Sequence, residues 1–325
     1  RELVRAAVCV KYGGPEGLQL QEVETPTPND NQVLVKVCAA SLNAADVETL
    51  RGDPIVRLTS PFKPMVKILG SDIAGRVEAV GRNVKDFLPG DEVWGDLSFP
   101  HGLGGFAEYV CVTESALAPK PACMTFEEAA AYPQAAMVAL QSLRDKGRIR
   151  PRHKVLINGG GGGMGTFAIQ LAKHFGAKVT GVDSARKLDL MRSLGADHVI
   201  DYTQEDYTKS GQRYDLILDV AGYRSVFDYS RALTEEGCFM IVGGSVRTLL
   251  QVVILGAVIS RFGSKRIGIN AWQPNKREDL AFLAELFEAG EVVPVIDKRY
   301  PLHQVAGAFR VLGKGHALGK IVIFV

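Results

Sequence analysis

The chain has 325 residues, 46% of them hydrophobic, and its 38 basic and 36 acidic residues leave a net charge of +2. That length is long for one hydrophobic core and predicts two domains. The charge is too evenly balanced for a nucleic-acid footprint, and the longest apolar run, from Leu249 to Ile259, is too short to span a bilayer.

From Val4 to about Pro119 the chain predicts short strands: Arg5–Lys11, Leu18–Val23, Gln32–Ala39, Ile73–Val80, Glu92–Trp94 and Phe106–Cys111. Turn residues separate them at Gly13-Gly14-Pro15, Pro26 to Asn31, Pro89-Gly90 and Gly102 to Gly105. This half is expected to be all-β and barrel-like. From about Cys123 helices and strands alternate. Helices are expected over Phe126–Ala131, Met137–Asp145, Ala185–Leu194 and Arg224–Leu233, and strands over Lys178–Val182, His198–Tyr202, Tyr214–Val220 and Cys238–Val242. That alternation implies a parallel sheet covered on both faces. Beyond the apolar run, Asn275 is the expected N-cap of a helix with Glu278 three residues on, a stripe at Leu280, Leu283 and Phe287, and a stop at Gly290. Val292–Ile296, a helix around Val305–Leu312 and Lys320–Val325 then return to complete the first half.

The centre of this pattern is Lys154 to Asn158, five glycines from Gly159 to Gly163, and a helix marked by Met164, Phe167, Ala168, Leu171 and Phe175. Gly160, Gly162 and Gly165 have the G-x-G-x-x-G spacing of a dinucleotide-binding turn. In such a turn the first glycine permits the bend, the second lets a pyrophosphate approach the backbone, and the third packs helix on strand. A glycine linker is the bland alternative, but a linker is not flanked by a buried-type strand and an amphipathic helix. Asp183 also follows at about the expected distance for a ribose-binding acid.

The five cysteines, Cys9, Cys38, Cys111, Cys123 and Cys238, are scattered, odd in number and never at C-x-x-C spacing. Neither a disulfide framework nor a local zinc knot is indicated. With no signal peptide or Arg-rich presequence visible, cytoplasm is the expected compartment.

Several segments together resemble the medium-chain dehydrogenase/reductase superfamily, in its zinc-free, quinone-oxidoreductase-like branch. They are Ala39 to Asp46, Gly70 to Val77, Pro89 to Val93, the glycine turn, Leu194 to Asp197 with Val199 to Tyr202, and Gly315 to Lys320. The resemblance implies an α/β architecture in which a Rossmann doubly wound parallel sheet is inserted into a GroES-like β-barrel substrate domain. The boundaries are then 1–122 for the first part of the substrate domain, 123–263 for the dinucleotide-binding domain and 264–325 for the return, with the active site in the cleft between domains. It also implies a homodimer joined edge to edge through the Rossmann domain.

By the same resemblance, the positions that hold a cysteine and a histidine in zinc alcohol dehydrogenases are Asn43 and Ser71 here, which lack the ligands zinc favours. Without that Lewis acid, reduction fits better than alcohol oxidation. A nicotinamide can deliver hydride to a quinone or to the β-carbon of an enone, where hydrogen-bond donors suffice. The candidate catalytic residues are Asn43, whose family counterpart lies beside the nicotinamide, Glu48, which stands where some quinone oxidoreductases have a tyrosine, and Tyr132 as a proton donor. A satisfied core position is the alternative for Tyr132.

The candidate cofactor-binding residues are Gly160, Gly162, Gly163, Met164, Gly165, Asp183, Ser184, Lys187, Tyr202, Gly243, Gly244 and Ser245. Asp183 argues for NADH. Ser184, Arg186, Lys187 and Tyr202 argue for NADPH, since Lys187 and Tyr202 match positions that contact the 2′-phosphate in NADPH-dependent relatives. The expectation leans to NADPH, with NADH the alternative. The expected partner besides cofactor is a small-molecule substrate, with no nucleic acid and no membrane span. An alcohol or aldehyde oxidoreductase, or a nucleotide-binding regulatory or structural protein without turnover, are the competing readings. The apolar Leu249–Ile259 segment is read as a pocket wall or subunit contact.

Overall fold

The computed structural model describes residues 2–98 and 100–325. The chain forms two compact units. The first comprises Arg1–Ala135, Pro274–Glu288 and Pro294–Val325, and the second Ala136–Gln273 and Ala289–Val293.

The first unit is built on a sheet ordered Ile296–Pro301, Lys320–Phe324, Gln32–Ser41, Asp72–Val80, Glu92–Asp96 and Ala118–Pro119. Strand Gln32–Ser41 is the long central one. On one side it runs antiparallel to Asp72–Val80. It also pairs with Tyr109–Thr113 over residues 32–36 and with Lys320–Phe324 over residues 39–41. Changing partner along one strand is how a small sheet curls. A second antiparallel pair, Leu3–Cys9 with Leu18–Glu24, is bridged to the rest at Ala6–Ala107 and Val8–Ile68. The described pairings form an open path rather than a closed ring. The core of this unit gathers Val33, Val35, Ile73, Val93, Phe106, Phe309 and Ile321, all under 3% exposed.

The second unit carries six parallel strands in the order His198–Asp201, Lys178–Asp183, Lys154–Asn158, Tyr214–Asp219, Leu233–Ile241 and Arg266–Ile269. This is the doubly wound order, in which the central strand feeds the ligand-binding turn.

The divisions differ from those read in the sequence, for packing reasons. Helix Phe126–Ala131 buries Ala129, Ala130 and Ala131 within the first unit, and Ser41 Oγ donates to Ala130 O at 2.7 Å. Residues 264–273 stay with the second unit because Arg266–Ile269 is the last strand of its sheet. Residues 289–293 join it too, with Gln170 bonded in both directions to the Val293 backbone at 2.9 Å.

Helices Ala44–Arg51 and Pro54–Thr59 were not foreseen, being short and without an apolar stripe. The segment read as Met137–Asp145 is an α-helix over Pro133–Gln141 that continues into a π turn at Ser142–Lys146. The strand expected at Val292–Ile296 lies at Ile296–Pro301.

Asn275 does not cap its helix. Its backbone has φ +57°, and its side chain accepts from Asp96 N at 2.8 Å and donates to Asp96 O at 2.7 Å. The helix starts one residue later, with Lys276 O accepting from Asp279 and Leu280. Asn275→Ala should therefore lower stability by about 1–3 kcal/mol by orphaning two buried backbone groups. Urea unfolding would show this as a reduced midpoint, whereas a cap-only role predicts a loss near the low end of that range.

Candidate functional site: a glycine turn and a buried lysine

In the second unit, the strand Lys154–Asn158 has neighbours on both sides and buries Val155, Leu156 and Ile157 completely. The chain leaves it through Gly159 at φ +83°, a left-handed value that favours glycine. Helix Gly163–His174 then starts from Gly162, which has no side chain to cap it. The first intrahelical bond runs from Thr166 N to Gly162 O at 3.0 Å. The N–H groups of Gly163, Met164 and Gly165 precede it and are the orphan donors of the helix start. Together with the positive end of the helix dipole, they favour negative charge in front of the helix.

The glycines of the turn have different physical reasons. A Cβ on Gly165 would lie 2.0 Å from Gly159 O and 2.6 Å from Gly160 Cα, so this glycine is required by the contact of helix with turn. A Cβ on Gly160 would meet Met191 Sδ at 2.6 Å. Gly162 is unlike both: a Cβ there would meet only Gly159 O, at an ordinary 3.5 Å, and its φ of −89° suits any residue. Nothing inside the fold demands glycine at 162. The space it leaves fits a diphosphate lying against main chain, which is the fit a dinucleotide requires.

Asp183 ends the neighbouring strand, but its carboxylate turns back to the glycine turn. Oδ2 accepts from Gly161 N at 3.0 Å, Oδ1 accepts from Ser184 N at 2.8 Å, and Lys187 Nζ stands 3.7 Å from Oδ1. Asp183 and Lys187 are both buried. The Lys187 stem lies under the turn, where a Cβ on Gly161 would meet Lys187 Cβ at 2.6 Å. Tyr202, more than half exposed, follows the next strand and donates its N–H to Asp183 O at 3.2 Å. Gly160 to Gly165, Asp183, Ser184, Lys187 and Tyr202 are thus one neighbourhood.

Gly243, Gly244 and Ser245 have local explanations. Gly222 N donates to Gly243 O and Ser245 N to Gly222 O, and a Cβ on Gly244 would meet Gly222 O at 2.2 Å. The Ser245 hydroxyl caps the following helix, accepting from Thr248 N at 3.2 Å.

In the first unit, Asn43 is the hub of a buried polar cluster that sequence reading missed. Its Nδ2 donates to Ser71 Oγ at 3.0 Å and to Asp72 Oδ2 at 2.9 Å, while its Oδ1 accepts from Lys320 Nζ at 2.6 Å. Both amide donors are therefore spent within the unit. Lys320 also donates to Leu42 O at 2.9 Å and to Asp72 Oδ2 at 3.5 Å. Three acceptors match the three N–H bonds of an ammonium, which supports the charged form. Burial pushes the lysine down and the Asp72 carboxyl up to about 7, and their mutual attraction opposes both shifts. Asp46 accepts from Asn43 N at 2.9 Å and Gly70 N at 3.0 Å, with burial raising its carboxyl to about 6. The available signal was a lysine opening the buried strand Lys-Ile-Val-Ile, where no charge belongs without a partner.

Tyr132 is fully buried and packs edge-on against Trp94 and Phe287, each with ring centroids 6.0 Å away. Burial drives its hydroxyl far above the ordinary range. The hydroxyl therefore keeps its proton, and its ring has the surroundings of a core tyrosine. Glu48 is exposed on helix Ala44–Arg51, and burial of its flank, then the nearby Asp53 carboxylate, raises its carboxyl.

Residues 29–122 match the family model described as the alcohol dehydrogenase GroES-like domain, and residues 194–323 the model described as zinc-binding dehydrogenase. The 2-methylene-furan-3-one reductase of Solanum lycopersicum is 37% identical over 96% of this chain and 76% of its own length. The chloroplastic NADPH-dependent alkenal/one oxidoreductase of Arabidopsis thaliana is 35% identical over 99% of this chain and 79% of its own.

The chain belongs to the medium-chain dehydrogenase/reductase superfamily, in its quinone-oxidoreductase-like branch. The structure of the quinone oxidoreductase from Coxiella burnetii superposes with a TM-score of 0.89 at 30% identity, covering 100% of both chains. The two-unit α/β architecture of this superfamily is thus the one found here. One of its family models is named for zinc. In this member Asn43 and Ser71 are an amide and a hydroxyl bonded to each other. Among the described residues no group of three His, Cys, Asp or Glu side chains could hold a metal ion. Also among the described residues, no helix is long and apolar enough to cross a membrane.

Two substitutions separate the roles of the glycines. Gly165→Ala should destabilise by about 1–3 kcal/mol through overpacking. Gly162→Ala should cost no more than about 1 kcal/mol in stability and weaken dinucleotide binding by about tenfold or more; calorimetric titration and thermal melts distinguish the two. In the first unit, Lys320→Met should cost about 3–5 kcal/mol by leaving Asp72 buried and unpaired. The double variant with Asp72→Asn should recover part of that loss in the urea midpoint.

Proposed function

We propose that this protein is an NADPH-dependent reductase of quinones and α,β-unsaturated carbonyl compounds. The observation that carries the reading is the open face of Gly162 beside uncapped helix N–H groups, where a dinucleotide's diphosphate fits. The acceptor class follows the relatives, whose names are alkenal/one oxidoreductase, 2-methylene-furan-3-one reductase and quinone oxidoreductase. Bound NADPH supplies the hydride. The chain's own residues bind and orient: the turn holds the diphosphate, and Lys187 with Tyr202 and Ser184 receives the ribose end.

Preference for NADPH over NADH is argued from Asp183. A free carboxylate at the end of this strand would accept from a ribose 2′-hydroxyl and repel a 2′-phosphate. Here both its oxygens already accept backbone N–H bonds, and Lys187 offsets its charge. We propose that the reaction runs without zinc, because the amide and hydroxyl at Asn43 and Ser71 are poor substitutes for thiolate and imidazole. A homodimer is proposed through Arg266–Ile269, the end strand of the parallel sheet, and a cytoplasmic setting on five free cysteines.

Steady-state kinetics with a naphthoquinone and a short 2-alkenal test this reading. NADPH should be oxidised only when acceptor is present, with a KM at least about tenfold below that for NADH. Lys187→Ala should lower kcat/KM for NADPH by more than for NADH and so remove most of that preference. Absence of saturable NADPH binding would overturn the assignment.

A further inference from the structure

The strand Lys154–Asn158 is flanked by Lys178–Asp183 and Tyr214–Asp219, and both neighbours end in an aspartate. Asp183 braces the glycine turn from one side, accepting from Gly161 N. Asp219 stands on the other. Val155, Leu156 and Ile157 lie beside Leu216, Ile217 and Leu218, all of them apolar and completely buried. The last pair in that register is Asn158 with Asp219, and there the lining turns polar. A carboxylate removed from water at this point is costly unless its hydrogen bonds are used.

Asp219 is fully buried, and burial pushes its carboxyl up against the hydrogen bonds it receives. Its Oδ1 accepts twice, from Asn158 Nδ2 at 2.9 Å and from Ala221 N at 2.9 Å. The first bond holds the residue just before Gly159, where the chain takes its left-handed step into the turn. The second holds the loop after the strand, where Ala221 and Tyr223 are exposed. Main-chain bonds complete the junction. Val220 N donates to Asn158 O at 3.1 Å, Val242 N donates to Asp219 O at 2.8 Å, and Gly222 is bonded to both Gly243 and Ser245. A Cβ on Gly159 would come within 3.2 Å of Val220 Cβ. Three chain exits at the carboxyl ends of the central strands, where doubly wound sheets bind ligands, therefore meet at Asp219.

We propose that Asp219 is a positioning residue for the dinucleotide: through Oδ1 it locks Asn158, and with it the entry to the glycine turn, to the loop at 220–222, so that both present one rigid surface to the cofactor. The inference rests on the dinucleotide reading of the turn given above. It assigns the effect to two hydrogen bonds and not to negative charge, because an asparagine at 219 offers the same Oδ1 to both donors. Alignment of this kind acts on binding, since a supporting group that is lost leaves the site present but loose.

Calorimetric titration with NADPH, run well below the melting temperature of each variant so that all are folded, tests it. Asp219→Ala and Asn158→Ala should each raise Kd about tenfold, while Asp219→Asn stays within about twofold of the parent. The double alanine variant should be little weaker than Asp219→Ala alone, because both changes remove the same bond. A role in stability alone would lower the melts and leave Kd where it was, and that result overturns the proposal. So does Asp219→Asn binding as weakly as Asp219→Ala, which would assign the effect to charge. Should Asp219→Ala not fold, the Asn158→Ala titration decides. The parent's own titration separates the two readings: no saturable binding there overturns the dinucleotide reading itself, whereas normal binding in the parent with unchanged binding in the variants overturns only the role of Asp219.

Discussion

The first unit depends on the accommodation of one buried ammonium. Lys320 enters the core at the start of the last strand, and its three acceptors come from Leu42 and Asn43, which link the central strand to helix Ala44–Arg51, and from Asp72 at the start of the neighbouring strand. Desolvating that charge is tolerable only because Asp72 lies beside it and Asn43 and Leu42 complete its hydrogen bonds. The arrangement fixes the position of Asn43 from all sides. It also uses both amide N–H bonds of this residue within the unit.

The second unit is organised by close approach rather than by charge. Helix and turn meet at Gly165 with no room for a methyl group, and this contact aims the helix N-terminus at the space above Gly162. Asp183 reinforces the turn from the neighbouring strand by accepting the Gly161 N–H. A residue that sequence reasoning treats as a cofactor selector is thereby also a brace, and its bracing role weakens the selectivity argument drawn from its identity alone. Gly243 and Gly244 similarly serve the backbone contact with Gly222 before they serve any ligand.

Strong periodicity was readable wherever local pattern and tertiary demand agreed. Phe126–Ala131 and Lys154–Asn158 are found with the bounds the sequence predicts, the first because Thr125 and Glu128 form a capping box and the second because glycine follows the short apolar run Val155-Leu156-Ile157. Asn275 misled because its residue type suits an N-cap equally well as a left-handed link. Its partner, Asp96, is remote in sequence and supplies backbone atoms that no local pattern reveals. Tyr132 is a case in which residue type and surroundings point in different directions: a hydroxyl suggests chemistry, while Trp94 and Phe287 pack edge-on against its ring.

The sequence by itself determined the alternation of strand and helix, the glycine turn with its dinucleotide-type spacing, and the superfamily, because each is written in residues close together along the chain. Tertiary structure alone decided which carboxylates are already engaged, which glycines yield space to a ligand and which to the fold, and where the two units divide. Those depend on contacts between distant segments, and burial, not residue type, sets how a charged or polar side chain can act.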